Sequence, residues 1–146
     1  AYRGGVGVTG REGYELREQG YARWVNDAFW MNPLAKLHDP GTTRRLVAED
    51  QLLVEYASGG RTPGDAYLWH VGPDGLPTAW QLWVSVVPVG GVRMSWEGWV
   101  TLDTGARVST RHVTPVGYVV TVEDLEGAET LEELVGPEDP FAPLAD

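Results

Sequence analysis

No cysteine occurs among the 146 residues, which excludes disulfides and thiolate metal sites as sources of stability. Packing must suffice, and a chain of this length can bury roughly two-thirds of its unfolded surface in one domain. Lysine occurs once, at Lys36, and asparagine only at Asn26 and Asn32, against ten Pro and seven Trp. Arginine in place of lysine, few thermolabile side chains and proline-stiffened loops suit a hot, GC-rich source, although a mesophile with GC-rich codons also replaces lysine by arginine. No stretch approaches the ~18 consecutive apolar residues of a membrane span, and AYRGGVGVTG has neither region of an export signal. The expectation is a soluble domain with no membrane partner.

Positive charge is missing from one end altogether. Residues 1–50 hold seven acidic and seven basic side chains and residues 51–122 hold five and four, whereas residues 123–146 hold nine acidic and no basic ones. The net charge of -10 is therefore almost wholly a property of the tail. With no basic cluster elsewhere to neutralise phosphates, nucleic acid and anionic membranes are excluded as expected partners.

The pattern predicts an N-terminal arm over 1–13, a β domain with one N-terminal helix over 14–122, and an acidic, proline-containing tail over 123–146. Glycines at 4, 5, 7 and 10 leave the arm too free to order alone, yet Tyr2, Val6 and Val8 share a parity and would form a strand on another chain. Tyr21, Trp24, Val25, Ala28 and Phe29 recur at helical spacing, giving two to four turns interrupted by Gly20 and ended near Pro33. From Gln51 the period changes to two. Strands are expected near 51–56, 66–71, 78–88, 92–102, 107–113 and 118–122, a meander making a mainly β, antiparallel sandwich or small barrel with extended terminal arms.

Parity constrains the turns. Trp80, Leu82, Val84 and Val86 share one face and Met94, Trp96, Val100 and Leu102 another, all even-numbered. A three-residue loop Val89-Gly90-Gly91 keeps the two faces together, pairing 88 with 92, 84 with 96 and 82 with 98. The same logic applies to WVTLDTGARVST at 99–110. Asp103-Thr104-Gly105 looks like the catalytic loop of an aspartic protease, but that chemistry needs two carboxylates sharing a proton, and Asp-Thr-Gly occurs once. As a turn, Thr104-Gly105-Ala106 would pair Leu102 with Val108, with Asp103 accepting backbone hydrogen bonds.

His38, His70 and His112 lack the spacing of metal ligands, so no metal and no cofactor is expected. His112 is expected opposite Gly98 as a hydrogen-bonded core residue. Trp83 and Trp99 fall on the polar face, where the pairing of 81 with 99 would make them diagonal neighbours. Their cover is the chain's own helix, a partner subunit favouring Trp at its centre, or a stacked sugar. In the tail, Thr130 and Glu133 have capping-box spacing. Pro137, Pro140 and Pro143 then keep the chain extended, with Phe141 and Leu144 as anchors.

In its glycine arm, its arginine-for-lysine, cysteine-free composition and the acidic EDLEGAETLEELVGPEDPFAPLAD, the chain resembles the capsid decoration (auxiliary or cement) proteins of long-tailed bacteriophages, here of a Thermus-like thermophilic host. The resemblance implies no enzymatic activity. It implies a homotrimer on the outer capsid surface of the virion that clamps the major capsid protein, an acidic exterior protein having no reason to bind packaged DNA. Tyr2, Val6, Val8, Trp83, Trp99, Phe141 and Leu144 are the candidate partner-binding residues. The rivals are a carbohydrate-binding β-sandwich using Trp83 and Trp99, and a small hydrolase acting through Asp103.

Overall fold

The computed structural model describes residues 1–139 and 141–142. A two-residue-stranded hairpin, β1 (Tyr2–Arg3) and β2 (Val6–Gly7), leads into helix α1 (Gly10–Met31) and a 3₁₀ turn at Pro33–Lys36. Eight strands follow: β3 (Thr42–Ala48), β4 (Gln51–Tyr56), β5 (Asp65–Val71), β6 (Pro77–Trp83), β7 (Val92–Ser95), β8 (Glu97–Thr101), β9 (Arg107–Val113) and β10 (Val119–Thr121). A short helix α2 (Leu131–Val135) lies in the acidic tail. Strands β3 to β7 form a five-stranded antiparallel meander in chain order, and β8 to β10 a three-stranded one. The fold is mainly β, and its sheets stay open rather than closing into a barrel.

The helix is longer than its apolar stripe suggests. It begins inside the expected arm, runs through Gly20 and makes about six turns over its 22 residues. An Arg11–Glu15 pair at 2.8 Å supports the first turns, and Pro33 forces the preceding Asn32 out of helical geometry. Only Gly13 of the helix is buried. Phe29 and Trp30, in its last turn, attach it to the core: Phe29 packs on Tyr56 and Tyr67, Trp30 on Trp80 and His112.

The core is one face of the five-stranded sheet. Val54, Tyr67, Trp69, Trp80, Leu82, Met94 and Trp96 form it, closed over by Phe29, Trp30, Leu34, Leu37, Trp99 and Val120. Trp69, Trp80 and Trp96 meet pairwise with ring centroids 5.0–5.1 Å apart. Their indole N–H groups find no hydrogen-bond acceptor among the described residues, and the nearby ring faces are weak acceptors at best. Burial holds the Tyr67 hydroxyl well above its usual range, with Asp65 and Tyr56 adding to the effect. Burial likewise pushes Tyr56 up to about 12, helped by Asp39.

Three strand expectations need correction. Strand β3, Thr42–Ala48, escapes the sequence pattern because every residue after Thr42 is exposed and neither face carries an apolar period. The strand expected over 78–88 ends at Trp83, since the Asp65 carboxylate takes the Ser85 N–H at 2.9 Å and Gly91 donates to the Leu82 carbonyl. Leu82 therefore pairs with Val92 and Trp80 with Met94: the even-with-even parity holds, but the register is six residues off and the loop is longer than three residues. Finally, the strand expected over 92–102 breaks at Trp96, whose N–H bonds the Thr78 carbonyl while the chain leaves one sheet for the other. Gly98, at φ +63°, completes that corner.

Candidate functional site

The first eight residues do not wait for another chain to pair with. Gly4 and Gly5, at φ +57° and +79°, make a two-residue turn that folds the arm on itself, pairing Tyr2 with Gly7 and Arg3 with Val6. Shared parity thus becomes opposite faces: Tyr2 lies with Gly7, and Val6 lies with Arg3. Tyr2 and Val6 are exposed, 44% and 67%, while Val8 is half-buried. An Arg3–Glu12 ion pair at 2.9 Å and the Val8 carbonyl, seated where a side chain on Gly13 would stand, fix the hairpin to α1.

Trp83 and Trp99 are not neighbours. Gln81 pairs with Arg93 rather than with residue 99, and Trp99 pairs with Ser109 in the other sheet. Trp99 stacks on Trp96 with centroids 5.8 Å apart and donates its indole N–H to the Pro77 carbonyl at 3.1 Å, which makes it part of the core margin. Trp83 stays exposed on its outer side, its inner side lined by Gly90 and Gly91 of its own loop. Among the described residues no aromatic contact joins either to α1, one of the three expected covers; Trp24 stands 59% exposed under the Lys36 ammonium instead. No paired aromatic platform is formed by these two residues.

The Asp-Thr-Gly segment turns the chain, one residue earlier than expected. Gly105, at φ +81°, donates to the Leu102 carbonyl and Leu102 to the Ala106 carbonyl, so Val100, not Leu102, pairs with Val108. The Asp103 carboxylate accepts none of the turn's hydrogen bonds; Thr104 Oγ1 takes the Ala106 N–H at 3.4 Å. Glu126 and Glu133 line the same shallow depression as Asp103, but Glu133 is engaged with the Glu129 N–H at 3.1 Å. Glu133 N–H donates to Thr130 Oγ1 at 3.3 Å, which caps the start of α2, while the Glu133 carboxylate reaches past Thr130 to the Glu129 N–H.

His112 is fully buried on the core face as expected, although the register puts Gly98 beside Thr110. Its Nδ1 lies 3.3 Å from the Ser95 carbonyl oxygen, and burial holds its pKa below the usual value. Among the described residues no group of three metal-ligating side chains converges. No helix among them is long and apolar enough to cross a membrane.

Uncovered apolar side chains lie at both ends of the chain and also between them, where Leu46, Val86, Val89, Val116 and Tyr118 stand exposed. Tyr14, Tyr21 and Trp24 are exposed on α1, and Leu131, Leu134 and Val135 on α2, followed by Phe141. Leu144 lies outside the described residues. The α1 stripe was missed because its exposed and core-facing aromatics read as one apolar face. Compared with known protein families, curated proteins and solved structures, the chain matches none.

Proposed function

We propose that this chain is a structural virion protein that binds the outside of a bacteriophage capsid and stabilises its lattice. One observation carries the reading: both terminal segments leave apolar side chains uncovered, Tyr2 and Val6 on the hairpin and Leu131, Leu134, Val135 and Phe141 on and after α2. Apolar patches on appendages of a packed β domain suit docking to protein rather than enclosure of a small ligand. The acidic tail supports an exterior position, because nine acidic side chains without a basic one repel packaged DNA. The major capsid protein is the partner this reading requires, and the threefold arrangement is the one that the family resemblance implies. Co-sedimentation with capsids of a thermophilic long-tailed phage, stripped of their surface proteins, tests it. Saturable binding that raises the capsid's disruption temperature is the expected result, and free protein at every concentration refutes the proposal.

A further inference from the structure

Helix α1 needs a partner, and its own spacing describes one. A helix in a protein draws most of its stability from packing an amphipathic face. Yet of these 22 residues only Gly13 is buried, and just the final turn enters the core. Residues 14, 17, 21, 24, 28 and 31 recur at alternating intervals of three and four, placing Tyr14, Arg17, Tyr21, Trp24, Ala28 and Met31 on one face. That face is centred nearly opposite Trp30, with Val25 at its edge and Phe29 beyond it. Tyr14, Tyr21, Trp24 and Met31 on it are exposed.

We propose that two copies of this chain associate through this face, their α1 helices antiparallel about a twofold axis between Ala22 and Arg23. The choice of occupant follows from charge. The helix holds three arginines and four acidic residues, nearly neutral in a chain of net charge -10, so a second copy meets little repulsion there. Any parallel pair or trio would bring Arg17 against Arg17 in the seam. The antiparallel register removes that conflict: Tyr21 meets the other copy's Trp24, Tyr14 meets Met31, and Arg17 lies over Ala28 beside Asp27. Glu18 and Asp27, flanking the seam on opposite sides, then face the uncharged Val25 and Gly20. The contact is self-complementary, as a closed dimer requires.

Area decides what else takes part. Burying the exposed halves of Tyr14, Tyr21 and Trp24 removes ~300 Å² per copy, against the ~800 Å² that a stable interface takes from each partner. The helix alone falls short. Gly13 and Asp27 flank the seam on the same side, and the N-terminal hairpin rests on Gly13 while exposed Tyr118 and half-buried Val120 line a groove with Asp27 and Met31. Antiparallel pairing therefore sets the hairpin of one copy against the Tyr118 groove of the other, extending the contact at both ends. This pairing goes beyond the capsid reading and does not rest on it: it covers Tyr14, Tyr21 and Trp24, leaves the outer face of the hairpin, α2 and Phe141 for a capsid, and a trimer must use a different surface.

The absence of native cysteine makes the geometry directly testable in the full chain. Sedimentation velocity at the highest soluble concentration is expected to show a dimer that becomes monomeric in the double variant Tyr21→Glu, Trp24→Glu. The far-ultraviolet circular dichroism of that variant, both positions being exposed, reports that it still folds. Under oxidation, a chain carrying Tyr14→Cys with Met31→Cys is expected to form covalent dimers, while Tyr14→Cys alone stays monomeric on denaturing gels. A monomeric wild type, a dimer that survives the glutamates, or cross-linking by Tyr14→Cys alone would each overturn the proposal.

Discussion

The imidazole of His112 stands edge-on to the indole of Trp96, with ring centroids 4.4 Å apart and planes at 66°. This contact clamps β9 to the residue at which the chain changes sheets. Burial opposes a charge on the ring, outweighing the pull of the Ser95 and Trp30 carbonyls and of Glu97 that favours protonation. The unfolded chain takes up that proton near the usual 6.5, the folded one only at lower pH. Stability from this group is therefore complete above the unfolded value and declines as pH falls below it. The melting temperature should fall between about pH 7.5 and about pH 5.5, a window above the carboxylate range. His112→Phe should melt lower at the upper pH, having lost the Ser95 contact, but with a flatter dependence. Parallel curves for the two proteins would show that His112 is not the group responsible.

Two glycines of α1 should respond oppositely to the same change. Gly20 faces open space, so Gly20→Ala should stabilise the protein by about 1 kcal/mol through helix propensity alone. At Gly13 a side chain meets the Val8 carbonyl, part of the backbone, which cannot step aside as a side chain can. Gly13→Ala should loosen the hairpin, seen as faster tryptic cleavage after Arg3. Unchanged cleavage would mean that Gly13 does not fix the hairpin.

The loop at Asp103 should depend on its glycine rather than its carboxylate. Asp103→Asn is expected to change stability by less than about 0.5 kcal/mol, because the side chain accepts no hydrogen bond in the turn. Gly105→Val should cost about 1–2 kcal/mol, the strain of a side chain in the left-handed region. Chemical denaturation gives both numbers. Pepstatin-sensitive proteolysis by the wild type that disappears in Asp103→Asn would instead restore the catalytic reading.

Period and parity carried most of the β architecture. Alternation in QLLVEY and in TAWQLW marks β4 and β6, and even-with-even pairing survives in the register of Leu82 with Val92. The distance along the strand was not legible, because it depends on the buried Asp65 carboxylate capturing Ser85, a long-range contact with no local signature. Nor was the corner at Trp96, where the apolar parity resumes at Val100 after Gly98 and so runs through a change of sheet. That error displaced Trp99 from the polar face to the core margin and dissolved the expected pairing with Trp83. In the arm, glycine content signalled freedom, whereas Gly4-Gly5 uses it to make a specific turn.

Removal of residues 1–8 tests the capsid reading most directly. The hairpin exposes Tyr2 and Val6 and is held to α1 by few contacts, so a chain starting at Thr9 should melt within a degree or two of the full one. Its affinity for stripped capsids should nevertheless fall at least tenfold, about 1.4 kcal/mol per binding site, in a titration read by co-sedimentation. Equal binding by truncated and full-length protein would contradict the account of the terminal segments, and no binding by either would contradict the virion function itself.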